Sequence, residues 1–153
     1  MPLKSIQDLK LEHQRNSRLM GLDVGSKTIG LALSDVTLTI ATPLETLKRT
    51  KFSKDAERLL SIIAEHDVGG LVIGLPISMD GSEGPRCQST RDFTQNIFEK
   101  IDIDAAFWDE RWSTQAVERI LIGEADLTRK RRAEVVDRAA AAYILQGALD
   151  AGL

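Results

Sequence analysis

Residues 19–34 read LMGLDVGSKTIGLALS, an apolar run that carries one acid, Asp23, to a glycine-bearing turn before a second apolar run begins. Leu19, Met20 and Leu22 make the continuous apolar surface of a buried strand. Ile29, Leu31 and Leu33 alternate with Gly30, Ala32 and Ser34 at the two-residue period of a pleated sheet. Gly25 suits the tight turn between the two arms. A carboxylate ending a buried strand is costly without a partner, so Asp23 is either neutralised structurally or placed to hold a cation.

Outward from this hairpin, Val36 to Leu47 mixes Thr, Ile and Leu around Pro43, which fits a third strand at a sheet edge, where a missing backbone donor is tolerated. Ser53 is the expected N-cap of a helix whose face carries Ala56, Leu59, Leu60 and Ile63 and which stops near Val68 and the Gly69-Gly70 pair. Leu71, Val72 and Ile73 then form a wholly apolar strand running into Gly74, as in a parallel sheet covered on both faces. Residues 77–85 have the composition of a surface loop. A helix bearing Phe93, Ile97 and Ile101 follows, then a strand from Ala105 to Trp108, a helix capped by Ser113 and stopped by Gly123, and a long alanine-rich helix opened by the basic run 129–132. The expected fold is α/β: a five-stranded mixed sheet, made of a three-strand antiparallel meander plus two parallel crossover strands, flanked by helices. Residues 1–17 hold too little apolar material to pack unaided and read as an accessory tail or helix, leaving 18–153 as one domain.

The bulk properties agree with a single soluble domain of 153 residues, 42% hydrophobic and 28% charged. A net charge of −3 excludes a strongly basic nucleic-acid binder of the histone kind and leaves a local basic patch open. One cysteine, Cys87, forbids an internal disulfide, and with His13 and His66 as the only histidines a structural zinc site is hard to assemble. No apolar run approaches the ~20 residues that span a bilayer, and no secretion signal opens the chain, so the expected setting is the cytoplasm, away from membranes.

In a sheet of this order the first strand runs parallel to the two crossover strands, and their carboxyl ends share one edge, where open α/β sheets bind ligands. That edge gathers Asp23, Gly74 and the pair Asp109-Glu110. Neighbouring strand residues face opposite ways, and periodicity does not choose between Asp109 and Glu110. On a helical wheel Asp137 falls among Ala133, Ala140, Ala141, Ile144 and Ala148, an inward sector whose small side chains let a helix backbone approach the sheet. Converging carboxylates raise one another's pKa unless divalent cations neutralise them, and an all-oxygen set favours Mg²⁺ or Mn²⁺.

These pieces resemble the YqgF-type family of pre-16S rRNA nucleases, related in fold to RuvC-type Holliday junction resolvases and ribonuclease H. The resemblance covers residues 18 to about 149. It rests on Asp23-Val24-Gly25-Ser26-Lys27-Thr28-Ile29-Gly30, Gly74-Leu75-Pro76 with Met79-Asp80-Gly81, Asp109-Glu110-Arg111 with Ser113-Thr114, and Asp137 before the run ending Ile144-Leu145-Gln146. One departure is Ser78, where the family is expected to carry Asn. The resemblance implies a ribonuclease H-like domain with Asp23, Glu110 and Asp137 as metal-binding catalytic acids. It implies Mg²⁺- or Mn²⁺-dependent phosphodiester hydrolysis, with two metals about 3.5–4 Å apart, and a role in maturing the 5′ end of precursor 16S rRNA. Lys27 and Arg111, beside the acids in sequence, are the expected phosphate contacts.

Each signal has a blander reading. Asp23 alone is an ordinary turn residue, Asp109-Glu110-Arg111 alone a solvated strand end, and Asp137 could be satisfied by Arg111. Lys27-Thr28 is not a phosphate-binding P-loop, because Ser26 stands where that loop needs glycine. The run Arg129-Lys130-Arg131-Arg132 is by default a solvated surface, Trp108 is core, and Trp112 is core or a base-stacking platform. Three rival functions remain: a Holliday junction resolvase acting on branched DNA, which demands a dimer for paired cuts; a non-catalytic RNA-binding assembly or transcription factor; and an actin-like ATP-binding domain, for which the chain is too short. Monomer and homodimer are both open.

Overall fold

The computed structural model describes residues 2–13, 16–78, 80–110 and 129–151, with side chains in the last segment described from residue 139 onward. Five strands, β1 (Arg18–Val24), β2 (Thr28–Ser34), β3 (Ala41–Lys48), β4 (Val68–Leu75) and β5 (Asp104–Asp109), form one sheet in the order β3-β2-β1-β4-β5. β1 pairs antiparallel with β2 and parallel with β4, and β4 pairs parallel with β5. The mixed sheet expected from the sequence is therefore present, and the carboxyl ends of β1, β4 and β5 meet at one edge.

Alternate residues of the strands feed two cores. On one face Met20, Leu22, Val24, Ile29 and Leu31 pack under α2 (Phe52–Glu65) and α3 (Pro85–Lys100). On the other, Leu19, Ala32, Val72 and Ala106 meet Ala141, Ile144, Leu145 and Ala148 of the last helix, α4 (Arg129–Asp150). Asp23 shares the α4 side with Leu19 and Gly21 because strand residues two apart point the same way. Gly21 is what lets α4 sit so low: a Cβ there would lie 2.7 Å from the Ala141 carbonyl oxygen and 2.8 Å from Leu145 Cβ.

Element boundaries differ from expectation for local reasons. α2 begins earlier than a Ser53 cap implies; Lys51 occupies the N-cap position without a side-chain bond. The Asp55 carboxylate instead accepts from the Thr50 N–H and hydroxyl, at 3.1 and 3.0 Å, and so ties the preceding residue to the first turns. Residues 36–40 are not strand. There the Asp35 carboxylate gathers the Thr37 hydroxyl and the Thr39 and Ile40 N–H groups into a closed loop, which the Val, Thr and Ile content disguises. Gly69 and Gly70 do not stop the helix but lie inside β4, where a Cβ on Gly70 would strike Leu19 and Leu9.

The N-terminal segment docks. Leu3 bridges Ala105 in parallel, extending the sheet past β5, and α1 (Ile6–Glu12) buries Leu9 in the α4-side core. Lys10 Nζ donates to the carbonyls of Ala148, Leu149 and Ala151 at 3.0–3.1 Å, a cation closing the C-terminal end of α4. Among the described residues no helix is long and apolar enough to cross a membrane. The helix expected between Ser113 and Gly123, the residues Arg111 and Trp112, Met79 and the side chains of 129–132 lie outside the described part.

Candidate active site

The site is built where three parallel strands end. Asp23 is the penultimate residue of β1, and Glu110 directly follows β5. The Glu110 N–H donates to the Leu75 carbonyl at 3.1 Å, which locks the residue against the end of β4. The Glu110 side chain can then fold over β4 because residue 74 is glycine: a Cβ there would be 2.5 Å from Glu110 Oε1 and 2.8 Å from its Cγ, and would also strike Ile144. Leu22 pairs with Ile73, so the next residues along the two strands are Asp23 and Gly74. One missing methyl thus seats an acid from the third strand against an acid from the first.

The Glu110 carboxyl bonds to that of Asp23, an arrangement that favours the protonated form of Glu110. Burial, the Asp23 charge and that bond together push Glu110 up to about 8, with Asp109 adding to the rise and the Arg86 guanidinium opposing it. Two adjoining carboxylates in a part-buried cleft are a donor set that gains from a cation.

Asp137 lies in α4, one turn before Ala141, the residue that rests on Gly21 of β1. α4 runs antiparallel to β1. Its Gln146 side-chain oxygen accepts from the N–H of Ala41, the residue paired with Ser34 at the far end of β2, whereas Ile144 abuts Gly74 near the acid edge. The helix backbone at 137 therefore lies on the Asp23 side of Ala141. Its side chain is outside the described residues, and among those described no group of three ligating side chains is gathered. Lys27 is exposed on the β1–β2 turn, its carbonyl accepting the Arg49 N–H at 2.9 Å; Arg111 falls outside the described residues. Trp108 is part-buried against the α4-side core, its indole resting where Gly147 leaves room.

Two features near the acids escape a reading of the sequence alone. Arg86, at the start of α3, is close enough to act on Glu110, and no local pattern marks it. Gly74 reads as strand punctuation, whereas it is the space Glu110 occupies.

The strand order and the helices that cover it are those of a ribonuclease H-like fold, the fold of the RuvC-like resolvases. Two solved structures share the fold: Thermus thermophilus RuvC in complex with a Holliday junction substrate, at 15% identity and TM-score 0.52 over 84% of this chain and 91% of that one, and the fowlpox virus resolvase with Holliday junction DNA, at 11% identity and TM-score 0.52 over 87% and 97%. The chain belongs to the RuvX family, described as Holliday junction resolvase, whose profile matches residues 17–151. Among its relatives, a protein of Paramagnetospirillum magneticum is 61% identical, over 98% of this chain and 96% of its own length. One of Roseobacter denitrificans is 64% identical, over 86% and 82%. Both are named "Putative pre-16S rRNA nuclease".

Proposed function

We propose that this protein is a divalent-cation-dependent nuclease that hydrolyses phosphodiester bonds in precursor 16S rRNA, at its 5′ end, in the cytoplasm. The observation that carries the reading is the shared hydrogen bond between Asp23 and Glu110, with Glu110 held up to about 8. A purely structural pair gains nothing from keeping two acids together, whereas a cation site needs that arrangement and relieves it on binding. The names of the relatives supply the substrate, and the family supplies the chemistry.

In this reading Asp23 and Glu110 hold Mg²⁺ or Mn²⁺, with Asp137 as the third acid. A cation held there would supply neutralisation of phosphoryl oxygen charge and acidification of water. The protein's own part is to aim the acids from rigid strand ends and to exclude bulk water through the α4 packing over Gly21 and Gly74. Lys27 and Arg111 contact phosphates flanking the cleaved bond.

The same site would serve a junction resolvase, and the family description makes that the second reading. One experiment separates the two and tests both. Wild-type protein and Asp23→Asn are incubated with precursor 16S rRNA and with a four-way DNA junction, with Mg²⁺ present. Cleavage of the RNA alone, lost in the variant, is the expected result. Cleavage of the junction alone moves the assignment to the resolvase, and cleavage undiminished in Asp23→Asn removes the metal-site reading. No cleavage of either substrate leaves a binding protein.

A further inference from the structure

A groove of about 430 Å³ opens at the edge of the sheet that carries the acids, on its α2/α3 face, between the β1–β2 turn and the first turns of α3; Val24, Gly25, Ser26, Arg49, Thr50, Arg86 and Ser89 line it. It shares that edge with the acids: Gly25 lies two residues beyond Asp23 in the chain, and Arg86 is the guanidinium whose charge reaches Glu110. Its lining holds two guanidinium groups and three hydroxyls and no carboxylate, which makes it complementary to an anion rich in acceptor oxygens.

Arg49 is fixed before any ligand arrives. Its N–H donates to the Lys27 carbonyl at 2.9 Å, its Nη1 donates to the Gly25 carbonyl at 2.8 Å, and its guanidinium carbon sits 5.4 Å from the centroid of Phe93. Phe52 meets Phe93 edge-on at 5.8 Å and holds that ring in place. A fork pinned in this way loses little rotamer freedom on binding. Arg86 and Ser89 are exposed, three residues apart, and so on one face of α3. Thr50 frames the groove without donating into it, because its hydroxyl donates to Asp55. Among the described residues no ion pair engages Arg49 or Arg86. The lining offers no aromatic face on which a base could stack, Phe93 being covered by Arg49.

We infer that this groove seats a backbone phosphate of the bound nucleic-acid strand, along that strand from the phosphate at the acid pair, with Arg49 as the fixed anchor and Arg86 as the solvent-side arm. The inference rests on the nuclease reading for its substrate and extends it to a positioning site. The recognised group is the phosphodiester shared by RNA and DNA, so the groove fixes register without reading sequence.

The test measures binding rather than turnover. Fluorescence anisotropy of a labelled single-stranded RNA and a labelled four-way DNA junction is followed across a salt series, with every variant made in an Asp23→Asn background. Arg86→Gln and, separately, Ser89→Glu change exposed positions and leave the core alone. Lys100→Gln, at the opposite end of the same helix, is the charge-matched control. Each groove variant is expected to weaken binding roughly 3- to 10-fold. Arg86→Gln is also expected to lower the salt slope by about 0.7 for the single strand or about 0.9 for duplex arms. A slope and affinity in both groove variants equal to the Lys100→Gln control, on both probes, overturns the inference and leaves the nuclease reading intact. Conversely, a lower slope in a protein whose wild type cleaves neither substrate sinks the nuclease reading and keeps the groove as a binding site.

Discussion

The Glu110 side chain lies in the space that a side chain at residue 74 would fill, and from there it shares a hydrogen bond with Asp23, two strands away. Its ionisation is therefore coupled to folding. Free in an unfolded chain it titrates near 4.5, and folded near 8, so between those values the folded protein holds a proton that the unfolded chain has released. Stability consequently falls as pH rises through that window and levels off above it. Metal-free protein unfolded by urea at about pH 5 and about pH 9 should differ by on the order of a few kcal/mol, and Glu110→Gln should flatten the difference. A wild-type profile as flat as the variant's would show that the two carboxyls are not coupled.

The same linkage gives the cation a signature independent of turnover. At the proposed cation site Mg²⁺ would require both carboxylates ionised, and so would displace the proton held on Glu110 near neutral pH. Adding Mg²⁺ to weakly buffered protein at about pH 7 should release close to one proton per site and raise the melting temperature. Neither effect should survive in Asp23→Asn. Equal release by variant and wild type would place the cation elsewhere.

Gly74→Ala tests the seat directly. A Cβ at 74 meets Glu110 at 2.5 Å and collides with Ile144, so either the acid or the helix must move. We expect a loss of about 1–3 kcal/mol in stability, together with the disappearance of the pH-dependent step assigned to Glu110. Retention of that step would mean that the carboxyl finds the same position by another path.

Gly21→Ala acts on the helix rather than on an acid. The added methyl would press on the Ala141 carbonyl oxygen at 2.7 Å, main chain that cannot swing away, and lift α4 from β1. About 1–3 kcal/mol should be lost. If α4 carries the third acid, cleavage should fall even in preparations that remain folded, with Asp23 and Glu110 untouched. Full activity in folded Gly21→Ala would argue that the site does not depend on the seating of α4.

Lys10→Met isolates the N-terminal segment. It keeps the aliphatic stem and removes a cation that three α4 carbonyls accept from. A cost of about 1–2 kcal/mol is expected in denaturant titrations, with nucleic-acid affinity unchanged, since this end of α4 is opposite the acid edge. Unchanged stability would reduce the contact to a surface contact of no consequence.

The amino-acid sequence by itself determined the sheet and one of its edges. The alternation in residues 28–34, the apolar 71–73 run and the crossover order make β1, β4 and β5 end together, because strand period and connection handedness are local rules. It also delivered Asp23 and one of two neighbouring acids, Asp109 or Glu110, to that edge, and only family resemblance preferred Glu110. Tertiary structure decided what depends on distance. It set Glu110 over Gly74, a choice made by a missing methyl one strand away, and placed Gly69-Gly70 inside a strand rather than at a helix stop, with Ser17 filling the space beside Gly69 and Leu19 and Leu9 that beside Gly70. It also brought Arg49 and Arg86, far apart in the chain, to one groove at the edge that carries the acids. Periodicity reports which face a residue takes; it carries no information on which neighbour leaves room for it there, and at this site the room is what brings the two acids together.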